Sequence, residues 1–290
     1  MIGQLERIVE LKNLNKARQP DHKGNLIAFT SGKGGVGKTV LSMNLAYLLS
    51  KQGKQILFAD FDFNFANAHI LMNIVPPKSI KDFLEGRSLL KNTVTEVNKN
   101  FHLIAGSSGS MELNGYSNLK VSSLLMELKK LSANYDYVFI DTGQLNDFHQ
   151  LGIILSSDCI VIVTSPEPTA VMDAYVIVKM LKQHGSSQRN QVIINKCSDE
   201  EEAGVTFNNL NNASKHFLNE ELNLLGSVNY DPAVHKSITS QKLLLKEASG
   251  SPVYHQILRI SGAITEFVQV ANINHSPKLS SQKIPFSKPV

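Results

Sequence analysis

Cysteine is scarce in this chain. Cys159 and Cys197 are the only two in 290 residues, so no disulfide framework organises it. Both sit in apolar, strand-like runs, where a cysteine acts as a small buried hydrophobe and a reducing compartment is expected. No run of about 18 apolar residues occurs, so the sequence offers no membrane-spanning helix. Residues Met1–Gln19 are charged throughout and lack the apolar stretch of a secretory signal. A concentrated positive charge is missing too. Lysine and arginine number 29 against 25 acidic residues, a net +4, but residues 1–24 contribute +2 and residues 272–290 contribute +3, which leaves −1 for residues 25–271. That balance argues against a nucleic-acid platform, so DNA binding is not expected. The charged ends read either as solvated tails or as weak attractors of anionic surfaces.

What is present is enough apolar material for a large core: 42% hydrophobic and 19% charged residues, with a mean hydropathy of −0.10. Leu26–Thr30, Gln55–Ala59, Phe101–Ala105, Tyr137–Ile140, Cys159–Val163, Gln191–Ile194 and Leu225–Val228 read as strands. Several are continuous apolar runs, the mark of strands buried on both faces of a parallel sheet. Thr39–Lys51, Val121–Leu131 and Ala170–Gln183 carry apolar residues at helical spacing. The alternation predicts an α/β fold, a mostly parallel twisted sheet flanked by helices on both faces. No linker or short repeat divides residues 25–271. We expect one domain there, an N-terminal partner-binding tail or helix over 1–24, and a flexible basic tail over 272–290.

The most specific segment is Gly32-Lys33-Gly34-Gly35-Val36-Gly37-Lys38-Thr39, followed by Val40. It leaves a strand and opens a helix, the context a P-loop requires. The glycines let successive backbone N–H groups turn toward phosphate oxygens, and the helix N-terminus adds partial positive charge. Lys38 would reach the β- and γ-phosphates and the Thr39 hydroxyl would ligate Mg²⁺. Asp60 and Asp62 follow one strand and Asp141 follows another, at the carboxyl ends where ligands of such sheets sit. Each could alone be a turn former or helix cap.

The second lysine narrows the class. The pattern Lys33-Gly34-Gly35-Val36-Gly37-Lys38-Thr39 resembles the deviant Walker A loop of the MinD/ParA-type P-loop ATPases. The resemblance implies an ATP-sandwich homodimer in which Lys33 reaches the partner's nucleotide and neutralises charge on the transferred phosphoryl group. Asp60-Phe61-Asp62 resembles switch I, whose second aspartate, Asp62, acts on the attacking water. Asp141 resembles the Walker B aspartate. Lys33, Lys38 and Asp62 are thereby the implied catalytic set, and Thr39, Asp62 and Asp141 the Mg²⁺ set. Asn195, in Ile194-Asn195-Lys196, matches an adenine-binding asparagine; an amide suits a purine edge, although asparagine is also a common turn residue. Asp231, in Tyr230-Asp231-Pro232, resembles the loop over the base. Glu167, in Ser165-Pro166-Glu167-Pro168-Thr169, resembles a dimer-face residue at the partner's ribose, and is equally readable as a solvated loop glutamate.

Further segments are similar to the FlhG/FleN (YlxH) subgroup of flagellar number regulators: Asp62-Phe63-Asn64-Phe65-Ala66-Asn67-Ala68, Pro166-Glu167-Pro168-Thr169 with Asp173-Ala174-Tyr175, and Tyr230-Asp231-Pro232-Ala233-Val234-His235-Lys236. Together with the P-loop they span about residues 25–270. The resemblance implies a cytoplasmic switch, with partners among an FlhF-type GTPase, a flagellar transcription activator and basal-body components. Three departures stand out. Asn64 replaces a glycine of switch I. Thr142-Gly143-Gln144-Leu145 puts Leu145 where switch II has glycine, which could obstruct sensing of the γ-phosphate and slow hydrolysis. Gly3-Gln4-Leu5-Glu6-Arg7-Ile8-Val9 keeps only part of the N-terminal activation motif. The alternatives are a MinD/ParA-like positioning or partition ATPase, or a nucleotide-binding adaptor with little turnover. An iron–sulfur reductase on the same fold is discounted, because Cys159 and Cys197 lie away from the switches. The family also implies membrane contact through its C-terminus. Here the stretch with Ile257, Ile260, Ile264, Phe267, Val268 and Ala271 on one face has a polar face with the single cation Arg259, and interfacial helices usually carry several. It reads as a closing core helix, leaving only weak, peripheral membrane contact.

Overall fold

A computed structural model describes residues 24–63, 65–107, 116–145, 148–186, 190–247 and 250–275. The expected terminal tails and Asn64 lie outside the described residues, apart from the few at either boundary. The strands are β1 (Asn25–Ser31), β2 (Ile56–Phe61), β3 (Val94–Asn98), β4 (Phe101–Ile104), β5 (Tyr137–Gln144), β6 (Cys159–Thr164), β7 (Asn190–Cys197) and β8 (Asn223–Asn229). The helices are α1 (Lys38–Lys51), α2 (Ala68–Leu71), α3 (Ile80–Leu84), α4 (Asn118–Ser132), α5 (Phe148–Leu155), α6 (Pro168–Gln183), α7 (Glu200–Leu218), α8 (Pro232–Thr239), α9 (Leu244–Glu247) and α10 (Pro252–His275), with a 3-10 turn at Leu90–Thr93.

The strands form one eight-stranded sheet in the order β3-β4-β2-β5-β1-β6-β7-β8. Every neighbouring pair is parallel except β3–β4. Alternation along each strand divides the core between two faces. In β1, Ile27 and Phe29 join α1 and α10 in one apolar cluster. Leu26 packs with α3 and α4 on the opposite face, and Ala28 packs there with α5, α6 and α7. Both faces of the central strands are thus covered, which explains their unbroken apolar runs. The stripe Ile257, Ile260, Ile264 and Val268 of α10 is buried against the sheet, at about 1.5–3 kcal/mol per fully buried side chain. The closing-helix expectation therefore holds. Among the described residues no helix is long and apolar enough to cross a membrane.

Three features differ from the sequence reading. An antiparallel edge strand, β3, precedes β4, and the spacing did not mark α5, α7, α8 or the short helices α2, α3 and α9. Asp62 does follow β2, but two of the aspartates expected just beyond strand ends lie within strands: β2 runs through Asp60 to Phe61, and β5 continues three residues past Asp141. The extension follows from a register shift between Phe29 and Ser31, after which Ser31 still pairs with Gln144.

Candidate functional site

β1 lies centrally between β5 and β6, and the glycine loop leaves its carboxyl end directly into α1. Gly37 is the N-cap of α1, with φ 86°. A side chain there would be strained, and its Cβ would stand 2.5 Å from Asn195 Nδ2. The first turn of α1 carries no acidic residue, so the partial positive charge of its amide end is left unopposed.

Three of the predicted residues converge beneath this loop. Lys38 Nζ donates to Asp141 Oδ1 at 2.5 Å, and Thr39 Oγ1 donates to Asp141 Oδ2 at 2.6 Å. Lys38 is 7% exposed and Asp141 is fully buried. Burial raises the Asp141 carboxyl, and Lys38 opposes that rise without cancelling it. Beside it, Asp60 accepts backbone N–H bonds from Asp62, Asn67 and Ala68 at 3.0–3.1 Å. Burial first, and the Asp141 charge second, push Asp60 up to about 7 from an ordinary 3.8.

Asp62 sits at the mouth, where its Oδ1 accepts from Phe65 N at 2.9 Å. From the other side, β7 reaches under the loop: Asn195 Nδ2 donates to the Val36 carbonyl at 2.7 Å, and Lys196 Nζ to the Gly35 carbonyl at 2.6 Å. Asp231 caps α8 through the Ala233 N–H at 2.8 Å. Together these elements enclose a cavity of about 640 Å³, within the usual range for small-molecule sites. Gly34 through Val40, Asp62, Asn195 and Asp231 line it; Gly32, Lys33, Asp141 and Glu167 do not.

Lys33 points elsewhere. Its Nζ pairs with Glu167 and donates to Thr169 Oγ1 at 2.8 Å, both at the start of α6 in the same chain. The pairing holds the Glu167 carboxyl below its usual range. Glu167 is thus paired within this chain while its side chain stays 62% exposed. Leu145, expected to threaten the γ-phosphate side, is partly buried against the α5–α7 core; among the described residues of switch II, Gln144 lines the cavity. Sequence reasoning gave no role to Asp60, Gln144 or Lys196. The paired aspartates of Asp60-Phe61-Asp62 were the available signal for the first.

The raised Asp60 has a measurable consequence. Its carboxyl binds a proton in the folded protein at pH values where the unfolded chain has released it. The stability it contributes is full below about pH 4 and is lost as pH rises toward 7. In nucleotide-free protein, Asp60→Asn is expected to flatten the fall in melting temperature between about pH 4 and pH 7. An unchanged slope in a pH series of thermal melts would contradict this assignment.

A glycine loop at the end of a central parallel strand, with a lysine, a threonine and a buried aspartate beneath it, defines the P-loop class of nucleotide-binding α/β proteins. A family profile described as "AAA domain" matches residues 24–194. The flagellum site-determining protein YlxH of Helicobacter pylori is 30% identical over 270 residues, covering 91% of this chain and 90% of that protein. The antiactivator FleN of Pseudomonas aeruginosa is 28% identical over 221 residues, covering 76% of this chain and 79% of that one. The fold also matches the septum site-determining protein MinD of Pyrococcus horikoshii complexed with Mg-ADP, with TM-score 0.70 and 20% identity, covering 86% of this chain and 98% of that chain. This chain belongs to the MinD/ParA-type P-loop ATPase family, in the subgroup of YlxH/FlhG and FleN.

Proposed function

We propose that this protein is an ATP-dependent dimerising switch that regulates flagellar number and placement and hydrolyses ATP slowly. The observation that carries the nucleotide reading is the buried contact of Lys38 and Thr39 with Asp141 directly beneath the glycine loop. The flagellar reading rests on the subgroup, whose members include proteins named for flagellum site determination and antiactivation.

The donor set fits the ligand. The backbone of Gly32–Thr39, the amide end of α1 and the Lys38 ammonium suit a triphosphate, and Asn195 with Asp231 flanks the base. The oxygens of Thr39, Asp62 and Asp141 are hard donors suited to Mg²⁺. Among the described residues no group of three His, Cys, Asp or Glu is arranged to hold a metal alone, and Mg²⁺ in such sites takes one or two protein ligands together with phosphates. When bound, Mg²⁺ would draw charge from the phosphoryl oxygens. Asp62 orients the attacking water, and Lys38 holds the phosphates. In the dimer, Lys33 leaves Glu167 and Thr169 and serves the neighbouring subunit's site. Partners by family are an FlhF-type GTPase, a flagellar transcription activator or basal-body components. The location is cytoplasmic, with weak peripheral membrane contact.

Light scattering with ATP, with ADP and without nucleotide, run beside phosphate release, tests the proposal. A dimer only with ATP is expected; a monomer in all three conditions would count against it. A second reading, an adaptor with little turnover, is motivated by the altered switch II and predicts the dimer without phosphate release.

A further inference from the structure

The carboxyl end of β5 carries a polar group that the proposed mechanism leaves unused. β5 runs on from Asp141 through Thr142 and Gly143 to Gln144, which pairs with Ser31, the last residue of β1 before the glycine loop. Successive side chains on a strand face opposite ways. Thr142 Oγ1 donates to the Phe29 carbonyl at 2.9 Å, which ties this stretch of β5 to β1. Gly143 lies against Asp62: a Cβ there would stand 2.8 Å from Asp62 Oδ1 and 3.0 Å from its Cγ. Gln144 lies against the loop: a Cβ at Gly34 would stand 2.6 Å from Gln144 Nε2 and 3.5 Å from its Cδ. Gln144 is exposed and lines the same cavity as Gly34, Lys38 and Asp62.

Resting on the ATPase reading, we infer that Gln144 is a further catalytic residue, one that contacts the terminal phosphate and the attacking water. Asp62 can only accept hydrogen bonds when ionised, whereas a primary amide both donates and accepts. Its NH₂ can donate to a γ-phosphate oxygen while its carbonyl accepts from the water that Asp62 also faces. The water oxygen then forms the new bond to the γ-phosphorus, and the bond from that phosphorus to the β–γ bridging oxygen breaks. ADP leaves with that electron pair, and the water's proton passes to Asp62 or to the released phosphate. Glycine at 143 suits this arrangement, because any larger residue would press on the Asp62 carboxylate. An amide placed here supplies a γ-phosphate donor from a side chain in a chain whose switch II lacks the glycine at position 145.

The test is Gln144→Ala and the near-isosteric Gln144→Glu in the full chain, with single-turnover hydrolysis measured beside calorimetry with ADP and with a non-hydrolysable ATP analogue. Gln144→Ala is expected to lower the hydrolysis rate about a hundredfold, as loss of one donor to developing charge does. It should weaken the ATP analogue roughly tenfold and leave ADP within about twofold. Gln144→Glu, which adds negative charge, should weaken the analogue further with an unchanged melting temperature. Turnover within about twofold of the parent, or equal weakening of ADP and the analogue, would overturn the inference. A parent protein that neither binds nor hydrolyses ATP would instead overturn the reading on which it rests.

Discussion

Lys38→Ala is expected to reduce ATP affinity at least about a hundredfold, because it removes a buried cation that lines the phosphate cradle, where charge is poorly screened. It should also destabilise the nucleotide-free protein. Lys38 is the cation on a fully buried Asp141, and removing one partner of a buried pair typically costs about 3–5 kcal/mol. The two effects separate in the double variant Lys38→Met with Asp141→Asn. It removes both charges of that pair, so thermal stability should largely return while ATP binding stays lost. Recovery of binding in that protein, read by calorimetry, would show that Lys38 acts on the fold alone.

The second large effect concerns the other lysine. Lys33→Ala is expected to lower steady-state ATP hydrolysis by about a thousandfold, the scale at which a charge supplied in trans to a phosphoryl group acts. ADP affinity of the monomer should not change, because Lys33 does not line the cavity and is engaged with Glu167 and Thr169. Equal ATP turnover in this variant would remove the trans role. The comparison is sharp because the two lysines stand five positions apart in one loop and are expected to fail in different assays.

Much of this architecture was legible in the amino-acid order, for reasons that can be traced to particular residues. The P-loop was readable because its chemistry demands glycines at set spacings, and Gly37 does adopt the left-handed backbone that only glycine takes easily. The central strands announced themselves because both of their faces are buried. β3 did not: Val94–Asn98 is a half-exposed edge with no apolar run. Helix α7 was hidden by Gly204 and by Asn208, Asn209, Asn211 and Asn212, and its buried stripe of Ala203, Thr206, Leu210 and Ser214 holds one large apolar residue. The burial of Asp60, which the sequence did place at the site, and the position of Gln144 were not read for a different reason. Burial of a carboxylate and the length of a strand beyond its last apolar residue are set by neighbours far along the chain, such as the register shift near Phe29.

The end of β7 has a consequence beyond the proposed base contact. Asn195 and Lys196, side by side, each hold one carbonyl of the glycine loop. The protein therefore cannot treat a nucleotide as two independent handles. On the proposed contact of the purine ring with Asn195, its binding free energy is shared with the anion grip, and the reverse holds by thermodynamic reciprocity. A bare polyphosphate and a free nucleoside, offered separately, sum to less than the intact molecule.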